Sequence, residues 1–393
     1  MDTSHRRLLT ILGLAIFFEG YGRSIIAVTL AYVGHDLGAP SHRLSYALAA
    51  IAAGSLGILV LGPLADRFGR RRLLLVSVVL FAVFGAATAS ATTLGMLMAW
   101  QFLARIFQEG ALFAAAVLAA EEMPPEQRST AQGVIGTVNS FGTGFAVLLL
   151  AGIGSVPWGW RGLCLVSLAP LALVPILRRN LPESRRWLAR REPAVIVPPP
   201  AYRGRVLAAL VVVALAMSYD VAAFTFATYV PITQYGWSAG QVSAMFIVAG
   251  ALGLPGWSLG GLLADRFGRR PIGALFLIGL TLAEVLFFMG GPYALWPGFT
   301  AMVFFQGGKM TVIRTWAAEL FPTSFRGAAA GWLTAAGTIG GMGGLGLAGA
   351  LAPVFGGIST ALAVIAGAGV LAAGAVLLWL PETRGMELEE SAP

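Results

Sequence analysis

Charge is scarce in this sequence: Asp, Glu, Lys and Arg together make up 11% of its 393 residues, against about 25% in an ordinary soluble domain. That scarcity excludes an ordinary cytosolic protein. Cysteine occurs once, at Cys164, so there is no disulfide framework and no cysteine metal site. The three histidines, His5, His35 and His42, are scattered without ligand spacing. No GxxxxGK[ST] motif is present, which removes an ATP-driven motor from consideration. With no metal cluster, cofactor motif or nucleophile beside a base, the expectation is a non-enzyme with neither cofactor nor metal. Long hydrophilic segments are missing too, apart from 181–205, with its RRWLARR and the proline run 197–200.

What is there is apolar. The chain is 57% hydrophobic with a mean hydropathy of +0.80. A bilayer core needs roughly 20 apolar residues per helix, and twelve such stretches can be marked. They lie near 8–33, 44–64, 73–91, 94–119, 129–153 and 162–178, then 205–231, 241–263, 272–290, 293–318, 327–351 and 358–380. The runs are continuously apolar without the period-two alternation of barrel strands. The expected fold is therefore all-α, with twelve transmembrane helices in two pseudo-symmetric six-helix bundles. The bundles are placed at 1–181 and 205–393, joined by a linker at 182–204. The first run follows Arg6 and Arg7, is long enough to span, and lacks a small-residue cleavage site, so it is read as the first helix and not as a signal peptide.

The octapeptide LADRFGRR occurs at 64–71 and again at 263–270, each time as a basic link between apolar runs. An identical segment repeated at about half the chain length points to duplication of a membrane topology. Of the 26 lysines and arginines, 20 fall on the side that bears both octapeptides, and only Arg43 and Arg161 on the other. That asymmetry predicts both termini in the cytoplasm of a multi-pass inner (plasma) membrane protein. The net charge of +8 then reports orientation and not a nucleic-acid partner. Asp66 with Arg70, and Asp265 with Arg269, are spaced to pair across a helix junction. One further match, GMGGLG at 341–346, fits a dinucleotide fingerprint but sits inside an apolar run with no strand before it, and is read as helix packing.

These motifs resemble the major facilitator superfamily, whose signature between helices 2 and 3 looks like GPLADRFGRR, with a copy between helices 8 and 9. Arg105, Gln108 and Gly110 resemble the family's RxxQG element, and PESRRWL at 182–188 and PETRG at 381–385 resemble the ends of the halves in sugar porters and their organic-ion and metabolite relatives. Glu121 and Arg128 recur as Glu319 and Arg326. The resemblance implies a cytoplasmic gate made of Asp66, Arg70, Asp265, Arg269, Glu121, Arg128, Glu319 and Arg326, and a central cavity lined by helices 1, 4, 7 and 10. The glycine-proline motif of many drug antiporters is missing from the fifth stretch.

Eight charges lie inside the apolar runs, where each costs several kcal/mol unless paired or wet. Seven of them, Glu19, Arg23, Arg105, Glu109, Asp220, Lys309 and Arg314, fall on the first, fourth, seventh and tenth stretches. The eighth, Glu284, is on the ninth and is expected to pack inward or snorkel toward the outer surface. Glu19 with Arg23, and Arg105 with Glu109, are i,i+4 pairs that could each neutralise themselves, or serve as static ion bridges. Asp220, Glu19, Glu109 and Arg105 are the proton-coupling candidates. Arg23, Lys309 and Arg314, with Tyr21, Gln306 and Trp316, are the substrate-binding candidates. Lys309, the only lysine, and Arg314 are about 140° apart around a helix, so one can bind substrate while the other pairs with Asp220. Glu19 maps by the repeat to Ser218, Arg105 to Phe304 and Glu109 to Gly308: the gates are duplicated and the site is not.

The expectation is a secondary transporter working by alternating access, a proton-coupled symporter of a small organic anion or metabolite, functional as a monomer in the lipid bilayer. Proton-driven efflux of drugs or amphiphiles, and neutral sugar or polyol uptake, are the alternatives. A transport-derived sensor would carry a soluble output domain, and a flippase would act on lipids.

Overall fold

The computed structural model describes residues 3–123, 127–184, 200–321 and 323–384. All regular structure among them is helical. Eleven helices are long and apolar enough to cross a membrane: α1 (His5–Val28), α2 (Ser41–Ala65), α3 (Arg70–Ser90), α4 (Leu94–Ala119), α5 (Ala131–Ala151), α6 (Trp160–Asn180), α7 (Arg203–Phe226), α8 (Ala239–Phe267), α9 (Arg269–Met289), α11 (Ala329–Val354) and α12 (Ile358–Trp379). The remaining one, α10 (Leu295–Glu319), is equally long. Its apolar character is diluted by Gln306, Lys309 and Arg314. The helix that least resembles a membrane span is thus the one richest in candidate site residues.

By compactness the chain divides into two units, one of Met1–Ala39, Ala50–Glu192 and Ser238–Ser243, the other of Pro40–Ala49, Pro193–Trp237 and Ala244–Pro393. Most of the expected linker, 185–199, lies outside the described residues.

In the first unit α1 packs on α5, and α3 on α4. Its core runs through Leu12, Ile16, Leu74, Val78, Phe81, Ala114 and Leu118. The second unit repeats the scheme, with α7 on α11 and α9 on α10. Lipid tails are as apolar as leucine, so helix pairs of this kind are held by close packing and not by hydrophobic burial. The α7–α11 pair displays that directly. A Cβ placed on Gly340 would run into the Ala214 carbonyl, and one on Gly344 into the Ser218 carbonyl. The GMGGLG run is therefore a helix-packing surface, as its setting in an apolar run implies.

The octapeptides close the α2–α3 and α8–α9 junctions. Gly69 (φ 98°) and Gly268 (φ 105°) hold backbone conformations that favour glycine, ending one helix and starting the next within a single residue.

Candidate functional site

Each junction is built the same way around the arginine after its glycine. Arg70 is buried; its Nη1 donates to the Ala65 carbonyl at 3.2 Å and its Nη2 to Glu121 Oε1 at 3.3 Å. Arg269 Nη1 donates to the Ala264 carbonyl at 3.2 Å, while its Nη2 meets Glu319 Oε1 at 3.1 Å and Asp265 Oδ1 at 2.9 Å. The pairing of Asp265 with Arg269, and the gathering of Glu121 and Glu319 on the two arginines, follow the spacing of the repeat. The side chains of Asp66, Arg128 and Arg326 lie outside the described residues.

Two further carboxylates belong to these junctions, and their role was not read from the sequence. Glu183 Oε1 accepts from the backbone amides of Arg70 and Arg71 at 3.0 and 3.1 Å. Glu382 accepts from Arg269 at 2.7 Å and Arg270 at 3.0 Å. Each carboxylate satisfies amides that open a helix, where the peptide dipoles favour negative charge. Burial works to raise the Glu382 pKa, but the amides of Arg270, Arg269, Arg384 and Thr383 outweigh it and hold the carboxyl below the ordinary glutamate value. The signal was present in the sequence, since PES and PET recur with the period of the octapeptide.

Inside the first unit the intramembrane charges converge on Arg23. Its Nε donates to Glu19 Oε1 at 2.8 Å and its Nη2 to Glu109 Oε1 at 2.7 Å. Glu19 is wholly buried and also accepts from Asn139 Nδ2 on α5. The expectation that Arg105 and Glu109 neutralise each other is not met, for no ion pair joins them. Instead Arg105 Nη2 donates to the Arg23 carbonyl at 3.1 Å. Order along the helix explains the difference, because acid before base at i,i+4 is the favourable arrangement. Glu19–Arg23 has it and Arg105–Glu109 reverses it. Arg23 is thus a bridge between α1 and α4, its side chain 30% exposed.

In the second unit Lys309 Nζ lies 2.5 Å from Asp220 Oδ2, with side-chain exposures of 1% and 3%. Gln306 Nε2 donates to the other carboxylate oxygen at 3.1 Å, and the Tyr219 ring lies 5.7 Å from the ammonium. Of the two basic residues on α10, Lys309 is therefore the partner of Asp220. Arg314 is exposed, its guanidinium 5.4 Å from the centre of the Trp257 ring. It makes no ion pair among the described residues.

Two substrate candidates sit in packing positions. Tyr21 is fully buried and its hydroxyl donates to the Leu163 carbonyl at 2.6 Å. Trp316 is 3% exposed, with its ring against Gly273 of α9. Of the two placements expected of Glu284, inward packing is the one found: it is wholly buried, within electrostatic reach of Asp220 and Lys309. Asn139 is a candidate site residue that sequence reasoning missed, since a lone amide in an apolar run carries no spacing signal.

The model of the Major Facilitator Superfamily matches residues 12–299 and 235–392. The chain is 26% identical over 400 residues to a Bacillus subtilis protein whose name assigns it to niacin/nicotinamide transport, covering 98% of both chains. It is also 26% identical to the 3-(3-hydroxy-phenyl)propionate transporter of Escherichia coli, covering 98% of this chain and 96% of that one. Among solved structures, the D-xylose-proton symporter superposes with a TM-score of 0.77 at 21% identity, over 96% of this chain and 98% of the other, which speaks for the fold alone. With paired six-helix repeats, the duplicated junction motif and this match along its length, the chain belongs to the Major Facilitator Superfamily and is a multi-pass membrane transport protein, not an enzyme.

Proposed function

We propose that the chain is a proton-coupled symporter of a small organic anion, best suited to a carboxylate on an aromatic ring, working by alternating access in the inner (plasma) membrane with both termini cytoplasmic. The observation that carries this reading is Arg314: an exposed guanidinium beside the Trp257 ring and without an ion-pair partner among the described residues. An unpaired charge within a span does not face lipid, and a guanidinium next to an indole offers an aromatic acid both a fork for its carboxylate and a surface for its ring. The first relative's name gives niacin, such an acid, together with its uncharged amide nicotinamide, and the second gives a hydroxyphenylpropionate, an acid whose carboxylate is on a short chain attached to the ring.

Proton coupling draws on the other charges. In the first unit two acids share Arg23, with Arg105 behind it, so protonating Glu19 or Glu109 removes one of the guanidinium's two carboxylate partners. In the second, Asp220 is held by Lys309. There an incoming proton is proposed to compete with the ammonium for the carboxylate. The paired junction clusters are the proposed cytoplasmic gates, and the protein is proposed to work as a monomer.

The test is uptake of radiolabelled nicotinate and 3-(3-hydroxyphenyl)propionate into proteoliposomes with an imposed pH gradient. Accumulation driven by inward protons and abolished by an uncoupler is expected. Uptake indifferent to the gradient, or absent for all organic acids while drugs or sugars are carried, overturns the reading.

A further inference from the structure

Glu284 is a carboxyl group buried among apolar helices. It has 0% exposure, and neither carboxyl oxygen has a hydrogen-bond partner among the described residues. The groups that face it are few. From α7 come Asp220 and Tyr219, the latter sensing both carboxyls. From α10 comes Lys309. The other helices packed on α9 are α12 and α8, which bring no titratable side chain to that depth, since α12 has none and α8 has none before Asp265.

The cluster therefore contains two carboxyl groups and one ammonium. An ionised carboxylate without a partner in such a place costs several kcal/mol, so the three groups form a neutral set when they hold one proton. Lys309 is already committed to Asp220, which leaves that proton to Glu284. We propose that Glu284 is a proton-binding residue of the second unit, whose ionisation sets a second carboxylate in competition for Lys309. On release the O–H bond breaks, the electron pair stays on the carboxylate oxygen and the proton passes to water. With Glu284 protonated, an anion bound at Arg314 meets a neutral Lys309–Asp220 cluster; with it ionised, it meets one carrying a net negative charge. Anion binding and proton binding then reinforce each other, as symport requires. The coupling step rests on the anion-symport reading above, whereas the protonation itself does not.

The experiment has two arms, on wild type and Glu284→Gln in proteoliposomes. Infrared difference spectra across a pH titration are expected to contain a carboxylic-acid C=O band, shifting in heavy water, that vanishes in Glu284→Gln and persists in Glu19→Gln. In the transport arm, Glu284→Gln should keep measurable nicotinate exchange while losing pH-gradient-driven accumulation, with the pH dependence of nicotinate half-saturation flattened. A Glu284→Gln spectrum that superimposes on wild type overturns the inference, as does undiminished proton-driven accumulation by the variant. Should wild type accumulate no organic acid at all, the anion-symport reading and the coupling step fall, and the infrared arm still decides the protonation.

Discussion

Lys309 and Asp220 bury opposite charges with Gln306, the Ala216 carbonyl, the Tyr219 ring and Glu284 near them. Removing one member of such a pair leaves an uncompensated charge, at about 3–5 kcal/mol, whereas replacing both by apolar residues of similar volume is often neutral. Lys309→Met is therefore expected to unfold at markedly lower temperature, and adding Asp220→Leu to recover most of the loss; a thermal unfolding series in detergent checks both. Glu382 makes a different prediction. Its pKa is depressed in the folded chain, so its stabilising contribution is present above the ordinary glutamate pKa of about 4.3 and is lost as pH falls through the lower folded value. Glu382→Gln should lower the melting temperature at neutral pH, with the gap to wild type closing in acid. A gap independent of pH would assign the effect to shape and not to charge.

Among the elements, α7 and α11 have the least room between them. Gly344 abuts the Ser218 carbonyl, while the neighbouring Gly343 has open space. Overpacking a tight contact costs about 1–3 kcal/mol, so Gly344→Ala should destabilise by about that much and Gly343→Ala hardly at all, measured by the same melting assay. The contrast also marks how far the elements were legible. Apolar length located the spans, because a bilayer imposes it on every helix, and the setting of GMGGLG was enough to read it as packing. Which glycines touch was not legible, since that depends on the angle at which two helices cross. The same limit applies to the charges. Spacing along the chain predicted Glu19–Arg23 within a helix and Asp265–Arg269 across a junction, both of which form. The bond from Arg23 to Glu109 and the burial of Glu284 arise between helices and have no one-dimensional signature.

On the scale of the whole molecule, what is duplicated and what is not should respond differently to mutation. The junction arginines Arg70 and Arg269 meet equivalent carboxylates, Glu121 and Glu319, and equivalent carbonyls, Ala65 and Ala264. No substrate-binding candidate belongs to that arrangement, so Arg70→Lys and Arg269→Lys, which keep the charge and lose the fork, should lower the maximal transport rate by a common factor for every substrate. The residues without a repeat partner are the ones proposed to carry the discrimination. A hydrogen bond to a charged group contributes about 1.5–3 kcal/mol, and each 1.4 kcal/mol is about tenfold in affinity. Arg314→Gln is accordingly expected to raise the half-saturation concentration for an aromatic carboxylate about tenfold or more, with little change in melting temperature because the side chain is exposed and has no ion pair to lose. Uptake kinetics of nicotinate against its uncharged amide separate the two classes of residue. If Arg314→Gln weakened acid and amide alike, the guanidinium would be a structural neighbour of Trp257 and the anion site would have to be sought at Arg23.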